Sequence, residues 1–198
     1  VSTNNYTLTT SGVSAAAIAS VAAVNSTTYA VTVNTGTGTG EIGLNLVNDS
    51  GMSLTVDNLA FTGTEKYTID KDNPVVTGVA NNGFYNTDVT ISFNEGTGKL
   101  NGSAFASGTE VSAEGTYTLV VTDAATNATT VTFTIDKTSP VVTGVADNGK
   151  YNSDRTISFN EGTATLNGID VANGTVVSEE GRYTLAVTDA ATNTTTIG

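Results

Sequence analysis

The chain contains no cysteine, no histidine and no tryptophan, and only one methionine and two prolines among 198 residues. Without cysteine there is no disulfide to staple a small domain, so any module here must stand on packing or on bound metal. Without histidine and cysteine no Ser–His–Asp or Cys–His nucleophile can be assembled, and no zinc site of the usual kind. Paired-carboxylate hydrolysis stays formally open. Basic residues are scarce as well: 7 against 19 acidic, a net charge of −12. Such a chain repels phosphate, so neither nucleic acid nor anionic lipid is an expected partner. An excess of carboxylates suits hard cations, above all Ca²⁺, and equally suits a solvated surface that confers solubility. No stretch approaches the ~20 apolar residues of a membrane span, so membrane insertion is not expected. The N-terminus has no signal-peptide pattern, and an exported form would carry one outside this sequence.

What is abundant is Thr, Asn, Gly, Val and Ala, a mixture suited to short strands and tight turns rather than helices. Its organisation is repetitive. PVVTGVANNGFYNTDVTISFNEGTGKLNG begins at Pro74, and PVVTGVADNGKYNSDRTISFNEGTATLNG begins at Pro140, 66 residues later. The match continues without insertion, EGTYTLVVTDAATNATT at 114 returning as EGRYTLAVTDAATNTTT at 180. The segment before Pro74 differs, but its exit, KYTIDKDNP, parallels the TFTIDKTSP that ends at Pro140. We therefore read three modules: residues 1–72, of a divergent subtype, and the repeats 73–138 and 139–198. Both linkers are short and contain a proline, which disfavours helix before it.

Within one repeat the alternation is that of half-buried strands. Val75 to Ala80 reads as a first strand and Asn81–Gly83 as a turn. Val89, Ile91 and Phe93 then point one way, Thr90 and Ser92 the other. Asn101-Gly102 is a hairpin signal, and short edge strands follow through Phe105 and Val111. Tyr117, Leu119 and Val121 alternate inward, as do Tyr183 and Leu185 in the second copy. A tyrosine there, after Gly, fits the tyrosine corner of immunoglobulin sandwiches, with both rings buried and the hydroxyl on a backbone carbonyl. Asp123–Asn127 forms the next turn, and Val131, Phe133 and Ile135 line the last strand. In the first module Tyr6 and Leu8, Tyr29, Val31 and Val33, Ile42, Leu44 and Leu46, and Tyr67 and Ile69 alternate similarly. The alanine-rich run from Ala15 to Val24 also reads as strand, because it has no cap and no long amphipathic face. The predicted fold class is all-β, with tandem immunoglobulin-like β-sandwich modules.

These motifs, YNTDVTISFNEGTxxLNG, EGTYTLVVTDAATN and TFTIDK-Pro, together with NNYTLTTSGVS and TTYAVTVNTGTGTG in the first module, resemble bacterial immunoglobulin-like tandem repeat domains of large cell-surface and adhesin proteins. The resemblance covers essentially the whole chain. It implies an extracellular, bacterial cell-surface location and a non-catalytic role as a structural spacer, forming a rod, stalk or filament. The alternative it leaves open is an adhesin module that contacts a host or carbohydrate partner through its loops. Phe84 is the best aromatic for such contact, but it becomes Lys150 in the next copy. The resemblance also makes both ends look incomplete. Relatives of the first subtype carry strands before NNYTLTT, and the last repeat stops before a counterpart of Phe133–Lys137. Two readings follow: copies of the chain share strands end to end, or a longer polypeptide supplies them.

The topology places the A–B and E–F turns of one module, the linker, and the B–C and F–G turns of the next at each junction. At the junction of the second and third modules those pieces carry Asp88, Glu114, Asp136, Glu161, Asp189 and Asn193. This oxygen-rich set fits Ca²⁺, the one candidate cofactor. It equally fits turn capping, with Asp123 and Asp189 accepting backbone N–H groups to close their hairpins. Sequons such as Asn5-Tyr6-Thr7 and Asn101-Gly102-Ser103 arise by chance in so Thr- and Asn-rich a chain. Lys71 and Lys137 lie in linkers and the repeats share no core lysine, which argues against a Lys–Asn cross-link. Expected partners are neighbouring modules or other copies of the chain.

Overall fold

The computed structural model describes residues 1–52 and 61–198. Two compact units are present: Val1–Pro74 together with Thr122–Ala128, and Val75–Val121 together with Thr129–Gly198. The described residues are organised as strands, with a single 3₁₀ turn at Thr3–Asn5. No helix among them is long and apolar enough to cross a membrane.

The first unit contains β1 (Tyr6–Ser11), β2 (Ala17–Ala23), β3 (Tyr29–Asn34), β4 (Gly40–Leu46) and β5 (Phe61–Ile69). One sheet has the order β1-β4-β5, antiparallel throughout, with Tyr6 opposite Leu46 and Leu8 opposite Leu44. β2 and β3 form a second ribbon. The alanine-rich run is thus a strand, as its β-branched spacing predicts. Burial is sparse: among the described residues here Val13, Ile42 and Pro74 are the buried apolar side chains. Tyr67, which alternates with Ile69 on β5, is 61% exposed and contributes no core. Polar bonding supplies part of the order instead. Asn5 is 1% exposed, and its Nδ2 donates to Asn48 O, Asn48 Oδ1 and Ser50 O at 3.0, 2.9 and 2.9 Å. Its Oδ1 accepts from Ser2 N at 2.7 Å. The sequon at Asn5 is therefore closed to modification in the folded chain, because its amide nitrogen is buried and fully engaged.

The second unit contains both repeats apart from Thr122–Ala128. The earlier one comprises β6 (Val76–Thr77), β7 (Gly83–Tyr85), β8 (Val89–Phe93), β9 (Thr97–Leu100), β10 (Ser103–Phe105), β11 (Thr109–Val111), β12 (Gly115–Thr122) and β13 (Ala128–Ile135). These make two sheets, β11-β8-β6 and β10-β9-β12-β13-β7. The strand order is that of an immunoglobulin-type sandwich, E-B-A against C′-C-F-G-A′. Between the sheets lie Val89, Ile91, Val111, Leu119, Val121, Val131, Phe133 and Ile135. These are the inward positions of the period-2 pattern, and each fully buried side chain contributes about 1.5–3 kcal/mol.

The sequence reading misses β7. Val75–Ala80 is not one strand: pairing stops at Thr77, and Gly78 turns the chain at φ +93°. A Cβ on Gly78 would sit 2.0 Å from Thr90 O, so the crossing from one sheet to the other needs glycine. The chain then re-enters as β7, parallel to β13. Tyr85 pins the crossing, its hydroxyl oxygen accepting from Ala80 N at 2.7 Å.

The later repeat has β14 (Val142–Thr143), β15 (Arg155–Thr156), β16 (Ser158–Phe159), β17 (Thr163–Leu166), β18 (Ile169–Val171), β19 (Val176–Val177), β20 (Leu185–Thr188) and β21 (Thr194–Ile197). β14 pairs β16, β15 pairs β19, and β18-β17-β20-β21 form a sheet. Its buried cluster is smaller: Ile157, Ala164, Leu185 and Val187. Gly144 and Tyr151 repeat the sheet crossing, Tyr151 accepting from Ala146 N at 2.6 Å.

The tyrosine corner is present in both copies. Tyr117 Oη donates to Ala113 O at 2.8 Å and Tyr183 Oη to Glu179 O at 2.9 Å. Leu119 and Leu185, two residues on, are buried. The rings themselves are half-buried rather than buried. Each must reach an exposed carbonyl at the end of the sandwich, which draws the phenol toward the rim. Tyr117 recovers contact by stacking on Phe133, ring centroids 5.1 Å apart.

Candidate functional site

In the second unit a run of polar bonds surrounds the linker 136–140. It begins where β13 ends. Asp136 N donates to Tyr85 O at 2.8 Å, extending the β7–β13 pairing by one residue. The Asp136 carboxylate folds back to accept Thr138 N at 3.1 Å, an Asx turn. Glu114, in the turn before β12, accepts Lys137 N at 2.7 Å and Thr138 Oγ1 at 2.9 Å on one oxygen. The Lys137 ammonium pairs with Asp88 and donates to Ser112 O. Two turns and the end of β7 in the earlier repeat thus hold four groups of the linker: the Asp136 and Lys137 amides, the Lys137 ammonium and the Thr138 hydroxyl.

The later repeat grips the same linker from its other side. In the turn Asp189-Ala190-Ala191-Thr192-Asn193, Asp189 is 8% exposed. Its Oδ1 accepts Asn193 N at 2.9 Å and its Oδ2 accepts Asn193 Nδ2 at 2.8 Å. The second Nδ2 proton goes to Asp136 O at 2.8 Å. A buried carboxylate therefore orients an amide, and the amide holds the linker backbone. Thr192 is in the left-handed region at φ 72° and accepts from Asn86 Nδ2 at 3.3 Å. Glu161 reaches the linker at one remove: it accepts Asn160 Nδ2 at 3.0 Å, and Asn160 Oδ1 accepts Val141 N at 2.6 Å, directly after Pro140.

The first unit holds the same clamp. Asp123, 8% exposed, accepts Asn127 N and Nδ2, both at 2.8 Å, and Asn127 Nδ2 donates to Asp70 O at 3.2 Å. Asp70 closes its own Asx turn on Asp72 N at 3.1 Å. Lys71 is used differently from Lys137: its amide donates to Thr39 Oγ1 and its ammonium to Gly36 O.

The six residues singled out from the sequence, Asp88, Glu114, Asp136, Glu161, Asp189 and Asn193, thus all bear on one linker, and each has a protein partner there. Among the described residues no three of His, Cys, Asp and Glu gather as a group that could hold a metal ion. The bonds at Asp123 and Asp189 are those that turn capping requires. The sequence reading weighs Lys137 only as a cross-link candidate and passes over Asn86 and Asn160. The signals were present: IDK occurs at both linkers, and FNEG places Asn94 and Asn160 at matching positions. Two depressions are found elsewhere among the described residues. One depression of about 200 Å³ is lined by Thr9, Thr10, Ser11, Glu41, Gly43 and Lys66. Another of about 100 Å³ lies beside Phe84, with Asn82, Thr116, Thr132, Phe133 and Thr134.

No family model matches the chain, and none of the curated proteins matches it significantly.

Proposed function

We propose that this chain is a non-catalytic structural spacer of an extracellular bacterial surface protein, its immunoglobulin-like modules joined in tandem as a rod, stalk or filament. The observation that carries the reading is the repeated clamp: Asp123–Asn127 on Asp70 O and Asp189–Asn193 on Asp136 O, at a 66-residue period. A linker bonded along its amides, its lysine and its carbonyl is costly to bend, which suits a part that maintains distance. Neighbouring modules are its natural partners, and strand sharing with other copies extends the same chemistry. The absence of histidine and cysteine favours a non-catalytic part. Gold-labelled antibody against the chain, applied to intact cells that produce it, tests the location. Label on surface fibres or a surface coat is expected, and label confined to the cytosol would overturn the reading.

A second reading, a loop-mediated adhesin, draws on Phe84, which is 51% exposed beside the smaller depression. Lys150 at the matching place in the next repeat speaks against a ligand common to both.

A further inference from the structure

An Asn-x-Ser/Thr sequon marks an asparagine able to take a sugar only where its side-chain nitrogen reaches solvent. The chain has seven, at Asn5, Asn25, Asn48, Asn101, Asn127, Asn173 and Asn193. Their number is what so Thr- and Asn-rich a composition gives, but the fold separates them. In six of them Nδ2 is spent on the protein. Asn5 is buried, with Nδ2 on Asn48 and Ser50. Asn48 Nδ2 donates to Asn4 O at 2.7 Å, Asn101 Nδ2 to Thr116 O at 3.5 Å and Asn173 Nδ2 to Phe159 O at 2.7 Å. Asn127 and Asn193 hold the linker carbonyls. A transferase must break these bonds before it reaches the nitrogen, which raises the cost of every one of the six.

Asn25 is arranged differently. It stands at the tip of the hairpin between β2 and β3, where Val24 N and Asn25 N donate to Thr28 O at 2.9 and 3.3 Å. Residues 22–28 are all exposed. Asn25 Oδ1 accepts Thr27 N at 2.9 Å and Thr27 Oγ1 at 3.1 Å. The oxygen is thus drawn onto the third residue of its own sequon, and the planar amide turns Nδ2 away from it. Among the described residues nothing accepts from Asn25 Nδ2. Asn48 gives the contrast. Its Oδ1 also accepts the N–H two residues on, Ser50 N at 3.2 Å, yet its Nδ2 is held by Asn4 O.

We propose that Asn25 is the N-glycosylation site of this chain, and that its co-substrate is a sugar activated as a diphosphate. Nδ2 displaces the diphosphate from the anomeric carbon. The C–N bond forms as the C–O bond breaks, the diphosphate leaves with the electron pair, and Nδ2 gives one proton to a base of the transferase. The tip presents the sequon's amide and hydroxyl together on one exposed turn, so no strand has to open for the reaction. The inference goes beyond the spacer reading and draws on the surface location for its biological setting, not for its chemistry.

The test isolates the protein from the cells that produce it and maps its peptides by mass spectrometry, with electron-transfer fragmentation that leaves sugars attached. The peptide carrying Asn25 should be heavier by whole sugar residues, with the added mass on Asn25. A single hexose assigns a nucleotide diphosphate donor, and a fixed oligosaccharide assigns a lipid-linked one. Asn25→Gln and Thr27→Ala should each lose the added mass, and Thr27→Ser should keep it. Hydrogen exchange over Ala17–Ala23 and Tyr29–Asn34 should be the same in all three variants, because the changes lie outside both strands. An unmodified Asn25, added mass on another asparagine instead, or a Thr27→Ala chain that keeps the sugar would each overturn the proposal. An unmodified chain labelled at the cell surface sinks this inference alone, and a modified chain confined to the cytosol sinks the surface reading alone.

Discussion

Replacing Asn193 by Asp should damage the clamp more than removing its side chain altogether. Asn193 Nδ2 makes two bonds of 2.8 Å, one to the Asp189 carboxylate and one to Asp136 O. A bond to a charged group is worth about 1.5–3 kcal/mol net and a neutral one about 0.5–1.5. Asn193 is half-exposed and water replaces part of this, so Asn193→Ala should cost about 2 kcal/mol. Asp at 193 loses both donors and sets a second carboxylate against Asp189, itself only 8% exposed. Two charges about 4 Å apart repel by about 4 kcal/mol at an effective dielectric of 20. Rotation toward solvent relieves most of it, leaving about 1–2 kcal/mol beyond the alanine variant. Because the chain has two compact units, global melting need not be two-state. Native-state hydrogen exchange at Leu185–Thr188 and Thr194–Ile197 isolates the loss. An Asp variant as stable at neutral pH as the Ala variant, or more so, would refute the clamp as the link between turn and linker.

Three further outcomes are expected. Tyr117→Phe and Tyr183→Phe should each cost about 1 kcal/mol, the value of one neutral hydrogen bond; Tyr117→Ala should cost about 3 kcal/mol by urea denaturation, because the stack on Phe133 goes as well. Gly144→Ala, at φ +87° with its Cβ 1.9 Å from Thr156 O, should destabilise the later repeat by about 3 kcal/mol or more, combining left-handed strain with a forced backbone shift; unchanged chemical shifts there would contradict the sheet-crossing role. EDTA should leave the melting midpoint unmoved, because each junction carboxylate already has protein donors. A cation present at 100 times its Kd would contribute about 2.7 kcal/mol, so a midpoint that falls with EDTA and returns with Ca²⁺ would restore calcium at Asp88, Glu114, Asp136, Glu161, Asp189 and Asn193.

The sequence by itself determined the all-β class, the 66-residue period and the inward residues of the main strands. Alternation at Val89-Ile91 and Leu119-Val121 is a local property of a half-buried sheet, and G-x-Y-x-L announces a corner whose bond spans only four residues. It also determined which turns meet the linker, since strand order dictates the end of the sandwich at which each turn lies. Tertiary structure alone decided how those turns use their polar atoms. Asp189 could bind an ion or its own Asn193 with the same oxygens, and the choice depended on Asp136 O, 57 residues before Asn193 in the chain, arriving close enough to take the second amide proton. It alone decided β7 as well, because three residues, Gly83–Tyr85, carry too short a pattern to announce a strand. They pair only because Gly78 turns the chain across the sandwich and Phe133–Ile135 waits on the other side.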